Sequence, residues 1–399
     1  MKDVKIADYL WFQEGPGVRN TQYTTSGVKL INVANLVDGN VDLSTSDRYI
    51  SEEEAYGKYN HFLADDGDFV IASSGIKIDY FDKKMGFIKK EHLPLCMNTS
   101  CIRFKVLDTN NLEIKYFMYY LKSNSFKKQL SNQITGSAQL NFGPSHLKKM
   151  TFPLIELKEQ KRIIERLDKT QNIINETKSL LSKYDTLIKS RFIEMFGDPV
   201  QNPMGWEVKK LGDICTKISD GVHAKPEYTA TGKPFISVVN INSGKLLFDD
   251  CKYVSEEAYE KMIKSTHPEK GDVLYTKVGA TYGIPALVDT DRAFCLYVSV
   301  ALLKPKSEIV NSQFLTTSMA QPYIKNQADK RIKGIGVPDL HLNQIREFEV
   351  LVPPLELQNQ FNSFVQQIDK SKFEIWLTLQ NYDIIEKECF KIWLISTSC

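Results

Sequence analysis

Tyr23-Thr-Thr-Ser-Gly-Val-Lys-Leu-Ile-Asn-Val-Ala-Asn-Leu-Val-Asp-Gly39 returns 205 positions later as Tyr228-Thr-Ala-Thr-Gly-Lys-Pro-Phe-Ile-Ser-Val-Val-Asn-Ile-Asn-Ser-Gly244. Tyr23, Thr24, Gly27, Ile31, Val33, Asn35 and Gly39 keep their identity across that shift, and upstream Lys5 and Asp8 meet Lys210 and Asp213. Nine identities in the 35 positions from 5 to 39 compare with roughly two expected from ordinary residue usage. Self-similarity at a fixed distance is the first thing to test in a chain, because it fixes the number of units before any element is assigned.

The repeat runs outward from there. A shift of 204 pairs Tyr49 with Tyr253, Ser51-Glu52-Glu53 with Ser255-Glu256-Glu257, Gly67-Asp68 with Gly271-Asp272, and Gly75 with Gly279. A shift of 200 pairs Pro153, Glu156, Leu157 and Gln160 with Pro353, Glu356, Leu357 and Gln360, and a shift of 198 pairs Tyr184-Asp185 and Phe192 with Tyr382-Asp383 and Phe390. The chain therefore reads as a tandem duplication. Its length of 399 residues also suits two domains at roughly 100 to 200 residues each.

Both halves follow one plan. Short β-branched runs such as Phe69-Val-Ile-Ala-Ser, Phe235-Ile-Ser-Val-Val and Tyr297-Val-Ser-Val-Ala-Leu-Leu, bounded by Gly, Asp or Pro, predict strands. Helical patterns near 112–130 and 311–327 make each domain α/β-mixed. A proline-led helix then closes each half. Leu167, Ile174, Leu181, Ile188 and Met195 recur every seven residues, flanked by Ile173, Leu180 and Leu187; Phe361, Ile368, Ile375, Tyr382 and Cys389 do the same, with Val365, Leu379 and Trp393 beside them. A sustained heptad column is a coiled-coil seam. The predicted class is α+β, a tandem duplication of two α/β-mixed domains, each followed by a long helix, the two helices packing as an antiparallel coiled coil. The alternative is that each helix docks only on its own domain. Helices of about 36 residues span roughly 54 Å, the length of the rod such a pair would form.

Composition narrows the class. Hydrophobic residues make up 42% and charged residues 25%, as in folded globular chains. Met1-Lys2-Asp3-Val4-Lys5 has no apolar leader pattern, and no run approaches the roughly 18 apolar residues of a membrane span. Cysteines at 96, 101, 215, 251, 295, 389 and 399 form no Cys-x-x-Cys pair, and no two histidines stand at i, i+4; neither a disulfide framework nor a zinc site is expected, and a reducing cytoplasm fits. The net charge of +2 makes any grip on DNA local or shared with partners, since phosphate neutralisation supplies most non-specific affinity.

Several segments, in order and twice over, resemble the specificity subunits of Type I restriction-modification systems: Trp206-Glu-Val-Lys-Lys-Leu-Gly-Asp-Ile214, Asp220-Gly-Val-His-Ala-Lys-Pro226 with Tyr228 and Gly232, Gly271-Asp-Val-Leu-Tyr-Thr276 through Gly279, Pro153 to Gln160, and Phe192-Ile-Glu-Met-Phe-Gly-Asp-Pro199. The second long helix opens Leu357-Gln358-Asn359-Gln360, without the acid that Glu159 supplies in the first, and Gly15-Pro-Gly-Val-Arg-Asn20 stands where the second half has 220–225. The resemblance implies target-recognition domains at 1–153 and 198–353 (198–205 a linker), with conserved helices at 154–197 and 354–399. It implies a non-catalytic reader of a bipartite double-stranded DNA target that docks two methyltransferase subunits and supports restriction subunits. S-adenosylmethionine, ATP and magnesium then belong to the partners, and the chain has no cofactor of its own and no membrane association.

Base readers are usually Arg, Lys, Asn or Gln on loops or helix starts. In the first head these are Arg19, Asn20 and Gln22, then Ser74 and Lys77, then Gln139 and Asn141. In the second they are His223, Lys225 and Tyr228, then Lys277, Thr281 and Tyr282, then Arg331 and Lys333. Lys127-Lys128, Lys148-Lys149 and Lys209-Lys210 are candidates for phosphates. No Gly-x-x-x-x-Gly-Lys-Ser/Thr loop is present. Asn202-Pro203-Met204 lacks the second proline and the aromatic residue of an adenine-methyltransferase element, and Pro338-Asp339 with Glu347 and Glu349 lacks a nuclease lysine. Three other readings stay open: a stand-alone bipartite DNA-binding regulator, an enzyme with an active site between duplicated domains, and a coiled-coil scaffold.

Overall fold

The computed structural model describes residues 2–134, 140–332 and 336–395, the side chains of 140 and 381–395 excepted. The chain forms two compact units, Met1–Asn175 with the chain from Gln380 on, and Glu176–Leu379. Each is α+β, and a two-, a three- and a four-stranded sheet of the same order recur in both.

In the first unit, strand Val28–Ile31 lies between Tyr49–Ile50, antiparallel, and Leu95–Met97, parallel. A four-stranded sheet has the order Leu10–Glu14, Cys101–Val106, Phe69–Ala72, Met85–Phe87. In the second unit Lys233–Ile236 lies between Lys252–Val254 and Cys295–Leu296 with the same two senses. Its larger sheet has the order Cys215–Asp220, Val300–Pro305, Val273–Thr276, Pro285–Leu287. Lys2–Lys5 pairs with Thr151–Leu154, and Glu207–Lys210 with Glu349–Val352, so each head is closed by its own first and last strands. Phe69, Phe104, Phe117 and Phe152 fill one core, and Tyr275, Phe314 and Phe348 the other, all at most 1% exposed.

The duplicated residues have identifiable local tasks. Ser51 and Ser255 cap short helices, their hydroxyls accepting from Glu54 N and Ala258 N at 3.2 Å, and the following glutamates lie in the positively polarised first turn. Asn35 and Asn240 are buried, each accepting from a backbone N–H three residues earlier. Gly27 and Gly232 have φ of 122° and 142°, and a Cβ at either would sit 2.2 Å from a carbonyl oxygen of the neighbouring strand. Only glycine fits there. Tyr23 and Tyr228 carry Arg48 and Lys252 over their rings.

Some strands are shorter than the apolar runs predict. The run from Phe235 leaves the sheet after Ile236 and turns through Val238–Asn240, and the run from Tyr297 enters its ladder only at Val300. Each predicted helix near 112–130 and 311–327 is a pair, Ile114–Lys122 with Asn124–Gln133 and Ser312–Met319 with Pro322–Arg331. Ser123 caps the second member of the first pair, its hydroxyl accepting from Phe126 N.

The long helices run over Leu157–Phe196 and Leu355–Ile395. Within the second unit their segments pack antiparallel: Phe192 meets Phe361 with ring centroids 5.5 Å apart, Arg191 lies over Phe364, and Lys372 Nζ reaches Asp185 at 2.5 Å. Ile173, Leu180 and Leu187, expected beside the seam, remain 37, 41 and 44% exposed, whereas Leu167 and Ile174 of the heptad column are buried. Among the described side chains of the second helix, Phe361, Val365, Ile368 and Leu379 are buried as expected, together with Gln358; Ile375 is half-buried, and between them stands Lys372, whose side chain is 11% exposed and charge-paired. Side chains of Tyr382, Cys389 and Trp393 lie outside the described residues.

The repeat register at the helix starts is 198 rather than 200. Gln160 Oε1 accepts from Glu113 N at 2.9 Å while its Nε2 donates to the carbonyls of Asn111 and Ile155. Gln358, not Gln360, repeats this: Oε1 accepts from Asn311 N at 2.8 Å, and Nε2 donates to Ile309 O and Pro353 O at 3.1 and 2.8 Å. Both glutamines are 0% exposed, and Gln360 is exposed. The position matching Glu159 is thus Leu357. Since a buried backbone group left unpaired costs about 1–3 kcal/mol, Gln358→Ala is expected to destabilise by ~2–4 kcal/mol and lower the melting temperature by roughly 5–10 °C. Gln360→Ala should stay within about 0.5 kcal/mol of the parent in the same thermal melt.

Candidate nucleic-acid interface

In the first unit Leu10–Glu14 and Phe69–Ala72 end, and Cys101–Val106 begins, at one edge of the sheet, where Glu14 faces Ile102 and Ala72 faces Cys101. The loops leaving that edge are tied by their backbones. Gly15 N donates to Cys101 O at 3.1 Å, Ser73 N to Ser100 O at 2.8 Å, and Phe142 N to Ser73 O at 3.0 Å. Asn141 stands opposite Ser74 in a short ladder. The segments from Gly15, Ser73, Asn98 and Asn141, separate in sequence, therefore form one rim. Burial pushes the Glu14 carboxyl up from its ordinary value there.

Of the residues expected to read bases, Arg19, Asn20, Lys77 and Asn141 are exposed and Ser74 is half-buried on its strand. Gln22 is occupied: its Nε2 donates to Glu54 Oε1 at 2.6 Å and Tyr59 Oη at 3.1 Å, and its Oε1 accepts from Arg19 N at 3.0 Å. It shapes the loop rather than presenting an open amide. Gln139 lies outside the described residues.

The second unit builds the same rim with different side chains. Asp220 faces Ala301 and Thr276 faces Val300 at the equivalent sheet edge. Lys277 N donates to Ser299 O at 2.9 Å, Gly279 N to Pro338 O and Leu340 N to Lys277 O. Val278 bridges to Asp339 as Ser74 pairs with Asn141. His223, Lys225 and Thr281 are exposed, and Tyr228 is half-buried under Lys225 and Lys252.

Three candidates are spent internally. Lys277 is 4% exposed, with Nζ 3.4 Å from Asp220 Oδ2 and 3.5 Å from Asp339 Oδ1. Tyr282 Oη donates to Asp329 Oδ1 at 2.5 Å while Lys325 covers its ring at 3.7 Å. Arg331 donates to the carbonyls of Gln327 and Glu347 at 2.9 and 3.1 Å and lies over Phe348. Lys333 lies outside the described residues. Of the lysine pairs, Lys127 binds Asp82, and Lys209 and Lys210 pair with Glu207 and Glu347.

The sequence reading missed Tyr80, 54% exposed three residues beyond Lys77, and Val337, 74% exposed beside Asp339. An exposed apolar side chain on a rim loop is the available signal, because such groups suit a thymine methyl or a base face. The rims offer donors, acceptors and apolar tips. Among the described residues no cluster of three or more His, Cys, Asp or Glu is placed to hold a metal ion, and no described helix is long and apolar enough to cross a membrane. Cys96, Cys101, Cys215 and Cys295 are buried free thiols pushed up to about 12 by desolvation, hence protonated and poor nucleophiles.

Comparison with known proteins gives the context for this geometry. A family model for the Type I restriction modification DNA specificity domain matches residues 19–182 and 203–381. The chain is similar to the Type I restriction enzyme MjaVIII specificity subunit of Methanocaldococcus jannaschii, 24% identical over 275 residues, 64% of this chain and 63% of that protein. It thus spans less than two thirds of that relative's length. It is 21% identical over 319 residues to the Type I restriction enzyme EcoKI specificity subunit of Escherichia coli, 75% of this chain and 67% of that protein. In fold it is similar to the crystal structure of the Type-I restriction-modification system S subunit from M. genitalium, with a TM-score of 0.53 and 15% identity over 98% of this chain and 95% of that one. With both halves matched by the one model, the chain belongs to the Type I restriction modification DNA specificity domain family.

Proposed function

We propose that this chain is the non-catalytic DNA-reading subunit of a Type I restriction-modification complex, each head at 1–153 and 198–353 reading one half of a split double-stranded target. The observation that carries the reading is the twice-built rim. The same sheet edge gathers loops from distant sequence in both units, while the exposed side chains differ: Arg19, Asn20, Lys77 and Asn141 in one, His223, Lys225 and Thr281 in the other. Constant stems with divergent tips suit two readers with different half-sites, since base contacts specify and stems only position. The long helices are the docking surface for two methyltransferase subunits and support restriction subunits. S-adenosylmethionine, ATP and magnesium serve those partners, in the cytoplasm.

Co-expression with a methyltransferase subunit from the same genome, followed by mapping of methylated adenines, tests this. A split motif with a fixed gap is the expected result. No complex, with tight DNA binding by the chain alone, would replace this reading with that of a stand-alone regulator.

A further inference from the structure

The two rims differ in how their stems are held together. In the second head a buried cation joins three segments: Lys277, the residue after strand Val273–Thr276, lies between Asp220, the last residue of Cys215–Asp220, and Asp339 on the returning segment. The side chain of Asp220 is 15% exposed and its other oxygen lies 3.6 Å from His223 Nε2. Ladder register identifies the corresponding residues of the first head as Glu14, Ser73 and Asn141, with no cation among them.

We infer that Lys277 is a positioning residue for specificity: its ammonium latches the loop carrying His223 and Lys225 to the segment carrying Val337 and Asp339, and so sets the second half-site alone. Several features carry this. At 4% exposure the ammonium cannot lie on a base edge with the loops in this arrangement. It is a compact charge that satisfies acids from two directions without choosing between them. Removing the buried ammonium leaves the largely enclosed Asp220 carboxylate, 15% exposed, uncompensated and frees the 47% exposed Asp339 to turn to solvent, so the segments they anchor move apart. A reader misplaced by an ångström loses its hydrogen-bond geometry. The first head, tied through backbone bonds and with no cation among Glu14, Ser73 and Asn141, has no such ammonium to lose.

The inference rests on the split-target reading, so the complex with the methyltransferase subunit is the right material. Three variants are compared with the parent for methylation of duplexes altered in one half-site at a time: Lys277→Met, the doubly neutralised Lys277→Met/Asp220→Asn, and Lys277→Arg. Lys277→Met is expected to lower discrimination at the second half-site by about tenfold or more, the size of one mismatched base pair, with the first half-site unchanged. The double variant should behave likewise while melting closer to the parent, because one buried carboxylate fewer is left without a partner. Lys277→Arg, which keeps the charge, should retain most of the discrimination.

Equal losses at both half-sites, unchanged discrimination in Lys277→Met, or an unfolded second head in both neutral variants would each overturn the latch. Undivided recognition by the parent complex would instead overturn the split-target reading, and the latch with it.

Discussion

Exchange of residues 1–153 for the matching head of another family member is expected to change one half of the methylated motif and to leave the other half, the gap and assembly with the methyltransferase subunit as they were. The expectation is energetic. The first rim stands on strands Leu10–Glu14, Phe69–Ala72 and Cys101–Val106 and on a core drawn from residues 4 to 152, so replacing it leaves the packing beneath the second rim untouched. Contributions from separated sites add, and each mismatched base pair costs about 1–3 kcal/mol. A half-site of several base pairs therefore shifts preference by orders of magnitude at one end only. The graft must respect the ties that cross its junction with the first long helix: the ladder partner Leu154 of Lys2, the Gln160 amide on Glu113 N and Asn111 O, the Tyr119 hydroxyl and Lys115 ammonium on Asp168, and Lys161 beside Glu113. A donor head whose backbone passes the positions of Asn111 and Glu113 will satisfy Gln160. Sequencing-based maps of methylated adenine give the outcome directly. Unchanged specificity, or loss of both halves with the fold intact, would end the two-reader model.

The duplication was legible in sequence wherever a repeated residue does a backbone task. Gly27 and Gly232 cannot bear a Cβ, and Ser51 and Ser255 close helix starts, so substitution is costly and identity persists at shifts of 205 and 204. The helix register was misread because Pro, Glu, Leu and Gln recur within a few residues of each other. Gln358 and Gln360 are indistinguishable by identity, and only the hydrogen bonds show which is buried. Some of the candidate readers are engaged internally, and for a common reason. Lys277, Arg331 and Gln22 were expected at the surface because their residue types prefer it, yet each is held by partners far away in sequence: Asp220 and Asp339, Glu347, and Glu54 with Tyr59. Long-range pairing decides whether a polar loop residue is a tip or a stem, and no local pattern encodes it. Lys372 follows the same rule on a helix. An apolar seam does not ordinarily hold an ammonium, and its pairing with Asp185 is what admits it there.

Lengthening both long helices by one heptad, within 167–190 and at the matching place in the second helix, is expected to widen the gap between half-sites by about three base pairs. Seven residues add about 10.5 Å at about 1.5 Å each, close to three steps of the duplex at about 3.4 Å per base pair. Seven is the increment that matters, because two full turns return Leu181 and Ile188 to the face that meets Val365 and Lys372. An insertion of two residues would turn everything beyond it by about 200°, moving the buried column outward and bringing Ile173, Leu180 and Leu187 inward on one side only. That variant should lose assembly or melt early rather than read a longer gap. Matched heptad insertions compared by methylation mapping thus separate two roles for the helices. A gap that grows in step with the rod makes them the ruler. A gap that ignores it places the ruler in the partner subunits, whose footprint on DNA would then set the distance whatever the helices do.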